Sequence, residues 1–180
     1  IGVPCFGPSR AAAALESSKT FAKEVMAATG VRTAAALMVD TADPADLARA
    51  RSRCEQGDVV LKADGLAAGK GVVVCRSAEE ALAALAGMVR FGAAARRLVL
   101  EDRLEGPEVS LFALCDGERV MALPLAQDHK QLLDGGRGPM TGGMGAYAPC
   151  GLVDPEQARA LVRQIHAPII REMARRGAPY

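Results

Sequence analysis

The amino-acid sequence predicts an α+β fold with two lobes. Residues 34–100 show a β-α-β-β-α-β order of apolar runs and helical patterns, which can close as a small lobe of its own. A hairpin signal, Asp116-Gly117, follows between two further apolar runs. We therefore predict the start of a larger lobe over residues 1–33, a small lobe over 34–100, and the continuation of the larger lobe, with antiparallel sheet, over 101–180.

Four helices are predicted from capping residues and from apolar side chains at helical spacing. Ser9 can cap the first helix, and Gly30 can end it. Ser77-Ala-Glu-Glu80 is a capping box that opens the third helix, and Pro168 is expected to kink the last one. The helices cover residues 9–29, 44–56, 77–89 and 154–176.

Six strands are predicted from short apolar runs that are bounded by turn residues. Residues 124–151 are dense in Gly and Pro, and we predict that they form one long irregular segment. Irregular segments of this length in compact domains are usually functional or disordered. The strands cover residues 34–39, 59–63, 72–75, 98–101, 108–115 and 119–123.

The composition limits the classes of partner. The 22 basic and 21 acidic residues give a net charge of +1, which does not indicate nucleic acid or an anionic membrane as a partner. No apolar run approaches the roughly 20 residues of a membrane span. The five cysteines lack metal-site or redox spacing, which is typical of a reducing, cytoplasmic compartment. Residue 1 is Ile rather than Met, which suggests a fragment or a processed chain.

The segment from Lys62 to Gly71 is rich in glycine and lies between two predicted strands. It lacks the first Gly and the final Ser or Thr of a Walker A loop, and it leads into valines rather than the helix of a Rossmann turn. Glycines at 65, 69 and 71 permit a close backbone approach to a ligand, and Lys62 and Lys70 add positive charge. We interpret it as a flap over nucleotide phosphates; the alternative is an ordinary hairpin loop with incidental lysines.

The acidic segment from Glu101 to Glu108 follows a buried strand. A backbone that leaves such a strand can offer a C=O and an N–H to the edge of adenine. The carboxylate of Glu108 can then accept both ribose hydroxyls. The alternative is a solvated acidic turn.

Two segments of the long irregular region carry further polar groups. Gln127-Asp-His-Lys130 can bind an anionic or polyhydroxyl substrate, although an isolated histidine is more often structural. Backbone amides near Thr141 to Gly145 can hold a phosphate or carboxylate, and the alternative there is a floppy linker. Neither a Ser-His-Asp nor a Cys-His arrangement can be argued from spacing, so no catalytic residue is assigned.

Five segments in this order resemble the glycinamide ribonucleotide synthetase (phosphoribosylamine–glycine ligase) family of the ATP-grasp superfamily. The resemblance implies an ATP-grasp fold and an ATP-dependent C–N ligase of purine biosynthesis, located in the cytoplasm. Such a ligase joins glycine to 5-phosphoribosylamine through glycyl phosphate. The segments are Phe6-Gly-Pro-Ser9, Leu15-Glu-Ser-Ser-Lys19, Lys62 to Val72, Gln127-Asp-His-Lys130 and Thr141-Gly-Gly-Met-Gly-Ala-Tyr147.

The resemblance also implies residue roles. For the nucleotide it implies phosphate-contacting lysines, a flap, adenine contacts from the backbone of Glu101 to Leu104, and a ribose contact from Glu108. The phosphate and flap residues are Lys19, Lys62, Gly65, Leu66, Ala67, Ala68, Gly69, Lys70 and Gly71. The residues implied on the phosphoribosylamine and glycine side are Asp128, His129, Lys130, Thr141, Gly142, Gly143, Met144 and Gly145.

The sequence also departs from the family pattern. The family usually has Arg where Gln131 stands and Asn where Met140 stands, and both differences remove polar groups near the implied substrate. The family's Mg²⁺ (or Mn²⁺) ligands are expected after Tyr180, and another domain before Ile1. We therefore expect a portion of a larger ligase, truncated at its C-terminal end and inactive alone, and fusion to other purine-pathway domains stays open. The alternatives are a non-catalytic nucleotide-binding module and another ATP-grasp ligase.

Overall fold

The computed structural model describes residues 6–65 and 71–180. Two consecutive helices, α1 (Ala14–Ser17) and α2 (Lys19–Thr29), stand where one helix over 9–29 was predicted. The single helix was wrong because Ser18 is extended, with φ −133° and ψ 112°, and caps α2 by accepting the N–H of Phe21 at 3.1 Å. Gly30 ends α2 in the left-handed conformation, with φ 69°, as the sequence predicted.

The segment predicted as the small lobe has the predicted β-α-β-β-α-β order. Its elements are β1 (Ala36–Asp40), α3 (Pro44–Glu55), β2 (Val59–Ala63), β3 (Val72–Cys75), α4 (Ala78–Gly87) and β4 (Arg97–Asp102). The strands form a four-stranded antiparallel sheet in the order β1-β4-β2-β3. The helices α3 and α4 contact each other and cover one face of this sheet, and we call the sheet with its helices the small lobe.

Alternation along the strands separates the core from the opposite face of the sheet. Val59 and Leu61 of β2, with Leu98 and Leu100 of β4, are buried in the core beneath the helices. Because successive side chains of a strand point to opposite faces, Lys62 and Glu101 project from the other face. The apolar groups removed from water on the core face hold the lobe together, and the polar pair is left for the opposite side.

Both ends of α4 differ in detail from the prediction. The hydroxyl of Ser77 accepts the N–H of Glu80 at 3.2 Å, but the carboxylate of Glu80 accepts the N–H of Arg76 rather than that of Ser77. The capping box is therefore half formed. The α-helix ends at Gly87, and a 3-10 segment, Met88–Ala95, with a break at Gly92 (φ 53°), leads into β4.

Asp64 joins the end of β2 to the start of α2. Its carboxylate accepts the backbone N–H of Thr20 at 2.7 Å and the hydroxyl of Ser18 at 3.1 Å, and the residue is buried. A carboxylate at this position also interacts favourably with the helix dipole. This contact fixes α2 against the root of the glycine-rich segment.

Two hairpins follow the small lobe. β5 (Ala113–Cys115) and β6 (Val120–Ala122) pair across Asp116-Gly117 as predicted, although both strands are shorter than expected. The prediction of one long irregular segment over 124–151 was wrong, because β7 (Gln127–Leu133) and β8 (Arg137–Tyr147) form an antiparallel hairpin within it. Pairing with a partner strand overrides the low strand propensity of a glycine-rich sequence.

The last helix, α5 (Pro155–Arg175), begins with a complete capping box between Asp154 and Gln157 and continues through Pro168. Met173 is fully buried in a second core with Val25 of α2. Among the described residues, we find no helix with the length and apolar character needed to cross a membrane.

Replacing Asp64 tests the link between β2 and α2. We expect Asp64→Ala to lower the free energy of unfolding by about 1–3 kcal/mol, because the buried N–H of Thr20 loses its acceptor. Urea unfolding measures this, with Asp134→Ala, an exposed aspartate of the β7–β8 turn, as the control. Equal unfolding midpoints for the two variants would contradict the capping role.

Glu172 near the end of α5 gives a pH-dependent prediction. Its hydrogen bonds with Arg175, at 2.7 Å and 2.8 Å, and with Arg176, at 2.7 Å, lower the pKa of the carboxyl from 4.5 to about 2. A lowered pKa in the folded state stabilises the protein above pH 4.5, and this contribution is lost as the pH falls towards 2.

We therefore expect Glu172→Gln to lower the Tm at about pH 7 and to lower it much less at about pH 3. Thermal unfolding at both pH values measures the difference, with the exposed Glu118→Gln as the control. A Tm difference of the same size at both pH values would show that the two ion pairs do not stabilise the fold.

Candidate functional site

A cleft of about 980 Å³ lies between the face of the small-lobe sheet that carries Lys62 and Glu101, the segment after β4 and the β7–β8 hairpin. It brings together residues from the nucleotide set and the substrate set of the sequence analysis, which are up to 82 positions apart, from 62 to 144. The predicted site residues in its wall are Lys62, Glu101, Leu104, Glu108, Asp128, His129, Lys130 and Met144.

Lys62 and Glu101 form an ion pair in this wall. They lie on the neighbouring strands β2 and β4, where Val60 is the register partner of Glu101, so the two side chains are diagonal neighbours on one face. Nζ of Lys62 is 2.5 Å from Oε2 of Glu101. The other carboxylate oxygen, Oε1, is 3.1 Å from Nζ of Lys23 on α2. A single buried carboxylate thus contacts two ammonium groups.

Lys23 is the residue that the sequence analysis missed. It lies four positions after Lys19 on α2, and residues four apart share one face of a helix. That spacing was the available signal, but nothing in it identifies Glu101, which is 78 positions away, as the partner.

Lys19 lies beside the root of the predicted flap rather than in the cleft wall. Its Nζ donates to the backbone oxygen of Asp64 at 3.5 Å, next to Gly65. An added Cβ at Gly65 would lie 3.0 Å from the Cα of Ala94, so a larger residue here would have to displace the backbone of Ala94. The backbone oxygen of Gly71 accepts the N–H of Ala63 at 2.8 Å and extends the β2–β3 ladder.

The centre of the predicted flap comprises Leu66, Ala67, Ala68, Gly69 and Lys70, and these five residues lie outside the described part of the chain. Their assignment as a cover for phosphates stays a prediction.

The segment after β4 presents free polar groups to the cleft. Leu104 is 74% exposed, and its N–H has no acceptor within residues 6–65 and 71–180. Glu108 is also exposed, and its carboxylate contacts no basic group in the described part of the chain. Both groups are thus available to a ligand.

The β7–β8 hairpin carries the predicted substrate residues on an irregular ladder. His129 pairs with Gly145 and Gln131 with Met140, so residues 141–144 form a bulge opposite Lys130. The hydroxyl of Thr141 donates to the carbonyl of Lys130 at 2.8 Å and accepts the N–H of Gly143 at 3.0 Å. These bonds hold the bulge in place.

Asp128 and Lys130 approach each other on β7, with 3.5 Å between Nζ and Oδ2. Gly143 adopts φ 127°, which favours glycine, and an added Cβ would lie 3.4 Å from Oδ1 of Asp128. His129 stacks on Tyr147 with ring centroids 5.9 Å apart. Of the predicted bulge residues, Met144 lines the cleft, whereas Thr141, Gly142, Gly143 and Gly145 do not.

The two positions at which the resemblance implies a departure from the family pattern are neighbours. Gln131 and Met140 are directly paired across β7 and β8, and both line the cleft. A direct cross-strand pair brings side chains within about 5.5 Å of each other. These two differences therefore alter a single patch of the wall.

The described residues do not fit a metal ion. Across 6–65 and 71–180, no three His, Cys, Asp or Glu side chains cluster closely enough to hold one. The cations and backbone donors of the cleft suit an anionic ligand instead.

Comparisons with known proteins identify the family of the chain. Residues 17–180 match the family model described as phosphoribosylglycinamide synthetase, ATP-grasp (A) domain. The chain is 47% identical over 182 residues to a phosphoribosylamine–glycine ligase of Rhizobium meliloti and 48% identical over 179 residues to one of Streptomyces coelicolor. These alignments cover 99% of this chain but 42% and 41% of the relatives, so the chain spans less than half of their length.

Solved structures show the same fold. A phosphoribosylamine–glycine ligase of Thermotoga maritima aligns with a TM-score of 0.81 at 33% identity, over 97% of this chain and 44% of that one. D-alanyl-alanine synthetase A of Vibrio cholerae aligns with a TM-score of 0.69 at 13% identity, over 96% of this chain and 52% of that one, which is a likeness of fold alone. The chain belongs to the phosphoribosylglycinamide synthetase family, and residues 17–180 are its ATP-grasp domain.

Proposed function

We propose that this chain is the nucleotide-binding portion of an ATP-dependent ligase that joins glycine to 5-phosphoribosylamine. The observation that carries the proposal is the 47% identity, over 99% of this chain, to a protein named phosphoribosylamine–glycine ligase. The cleft supports it, because the ammonium groups of Lys62 and Lys130 and the N–H of Leu104, which is free in the described part of the chain, border the same space. As part of this proposal, the protein acts in the cytoplasm on small molecules, with no nucleic-acid or membrane partner.

In this proposal, ATP binds between the segment after β4 and the sheet face that carries Lys62 and Glu101. Lys62 and Lys19 contact phosphates, and residues 65–71 cover them. The backbone from Glu101 to Leu104 contacts adenine, and the carboxylate of Glu108 accepts the ribose hydroxyls. The exposed N–H of Leu104 and the unpartnered carboxylate of Glu108, within the described residues, support these two roles.

Glycine and phosphoribosylamine bind in the proposal along the β7–β8 hairpin. Asp128, His129 and Lys130 provide polar side chains at the cleft, and Met144 brings the bulge of residues 141–145 to its wall, where the proposal places backbone N–H donors for the ligand. The ammonium of Lys130 suits the substrate phosphate or the carboxylate of glycine.

The chemistry consists of two displacements. The glycine carboxylate attacks the terminal phosphorus of ATP, the bond between that phosphorus and the bridging oxygen breaks, and ADP leaves with its electron pair. The amine of phosphoribosylamine then attacks the acyl carbon, the bond from that carbon to the phosphate oxygen breaks, inorganic phosphate leaves, and the amine gives up one proton to the phosphate or to solvent. Positioned cations and backbone donors stabilise the charge of such transition states without a covalent nucleophile. We place the Mg²⁺ or Mn²⁺ ligands outside residues 1–180, and no step here depends on them.

The function is tested by ADP release from the complete protein. We expect rapid release only when glycine and phosphoribosylamine are both supplied, because the acyl phosphate is consumed only by the amine. A coupled assay of ADP measures the rate with each substrate alone and with both. Binding of ATP without ADP release under any condition would instead support a non-catalytic nucleotide-binding module, and release with another carboxylate would support another ATP-grasp ligase.

The role of Glu108 is tested by sugar discrimination. We expect Glu108→Ala to weaken ATP binding about 10-fold or more, as for loss of hydrogen bonds to a charged group. The variant should also lose the preference for ATP over 2′,3′-dideoxy-ATP that the unaltered protein shows. Calorimetric titration with both nucleotides measures this, with Glu118→Ala on the β5–β6 turn as the control. A preference that survives in the variant would exclude the ribose contact.

A further inference from the structure

Lys23 is held by three acceptors. Its Nζ lies 3.1 Å from Oε1 of Glu101, 2.7 Å from the hydroxyl oxygen of Thr33 and 2.7 Å from the carbonyl oxygen of Ala34. The contacts with Thr33 and Ala34 are hydrogen bonds, and the contact with Glu101 is an ion pair, so the ammonium group is surrounded by acceptors of this chain. The side chain is 10% exposed and lies outside the cleft wall. Lys23 is therefore fixed and does not reach a ligand in the cleft.

Lys62 differs from Lys23 in each of these respects. Within the part of the chain that the structure describes, Oε2 of Glu101 is the one acceptor of its ammonium group. Its side chain is 27% exposed and lines the cleft. Two of its N–H donors are therefore available to a ligand.

The charges of the cluster explain why two lysines share one carboxylate. Two ammonium groups and one carboxylate leave a net charge of +1, and the exposed member of the cluster is Lys62. A buried carboxylate without a cation is strongly unfavourable. Because Lys23 stays with Glu101, Lys62 can turn towards an anion without leaving that carboxylate unpaired.

We infer that Lys23 is a positioning residue for nucleotide binding, which acts by neutralising Glu101 so that the charge of Lys62 is available to the phosphates. The inference rests on the nucleotide site of the proposed function. In this arrangement Lys23 never touches the nucleotide. Its effect passes through Glu101, and so it depends on the charge at that position.

The consequence differs from that of a purely structural lysine. In Lys23→Met, Glu101 pairs with Lys62 alone, and the net charge of the cluster falls from +1 to zero. Lys62 then reaches a phosphate only by leaving the buried carboxylate of Glu101 without a cation. In the double variant Lys23→Met/Glu101→Gln, no carboxylate remains, and the charge of Lys62 is again uncompensated.

The test is a double-mutant cycle on the complete protein, read by calorimetric titration with ADP at a fixed magnesium concentration. We expect Lys23→Met to weaken ADP binding about 10-fold or more, the loss typical of an interaction between charged groups. Lys23→Met/Glu101→Gln should bind ADP within about threefold of Glu101→Gln, because Lys23 has no carboxylate to neutralise in that background. Arg51→Met, which removes an exposed cation of α3, is the control and should leave ADP binding unchanged.

The outcomes separate this inference from the proposed function. If the unaltered protein does not bind ADP, the proposed nucleotide site and the inferred role of Lys23 are both contradicted. If it binds ADP but loss of Lys23 weakens binding equally in both backgrounds, Lys23 only holds α2 to Thr33 and Ala34, and the inference alone is overturned. Thermal unfolding of each variant accompanies the titration, and the comparison with Glu101→Gln remains valid even where Lys23→Met alone does not fold.

Discussion

Glu101 lies on β4, the strand between β1 and β2, and its side chain projects from the face of the sheet that lines the cleft. Its two oxygens contact Lys62 of β2 and Lys23 of α2, so one carboxylate joins the small lobe to the helix that precedes it. The sheet itself places Lys62 beside Glu101, because the core side chains on the opposite face fix which residues point into the cleft. A shift of one residue in the register of β2 would turn Lys62 into the apolar core.

A second carboxylate fixes the same helix at its first turn. Asp64 accepts the N–H of Thr20 and so holds the start of α2 at the root of the glycine-rich segment. Lys19 and Lys23 therefore lie on a helix that is attached to the end of β2 and to β4 at two points. The carboxylate of Asp64 is satisfied by hydrogen bonds and that of Glu101 by ion pairs, the conditions under which buried charges are tolerated in a protein interior.

The β7–β8 hairpin forms the opposite wall of the cleft. The glycine-rich strand β8 follows β7 irregularly, and the bulge opposite Lys130 is held by the side chain of Thr141. Glycine at position 143 allows a backbone conformation that other residues rarely adopt, next to Asp128. The same glycines that lower the strand propensity thus permit the bulge. Whether they give an irregular loop or a bulged strand depends on pairing with β7.

Local patterns in the sequence determined the bounds of several elements and the family of this protein. Short apolar runs bounded by turn residues gave β2 and β3 their bounds, Gly30 ended α2, and the segments around Lys62, Gln127 and Thr141 indicated the family that the comparisons confirm. Such features depend on spacing within about ten residues, which a sequence displays directly. Only the tertiary structure decided that Glu101 turns its side chain to Lys23, that Asp64 divides the first helix at Ser18, and that β8 is a strand. Each of these depends on a contact with a residue distant in the sequence or on pairing with another strand, and local propensity does not encode the partner.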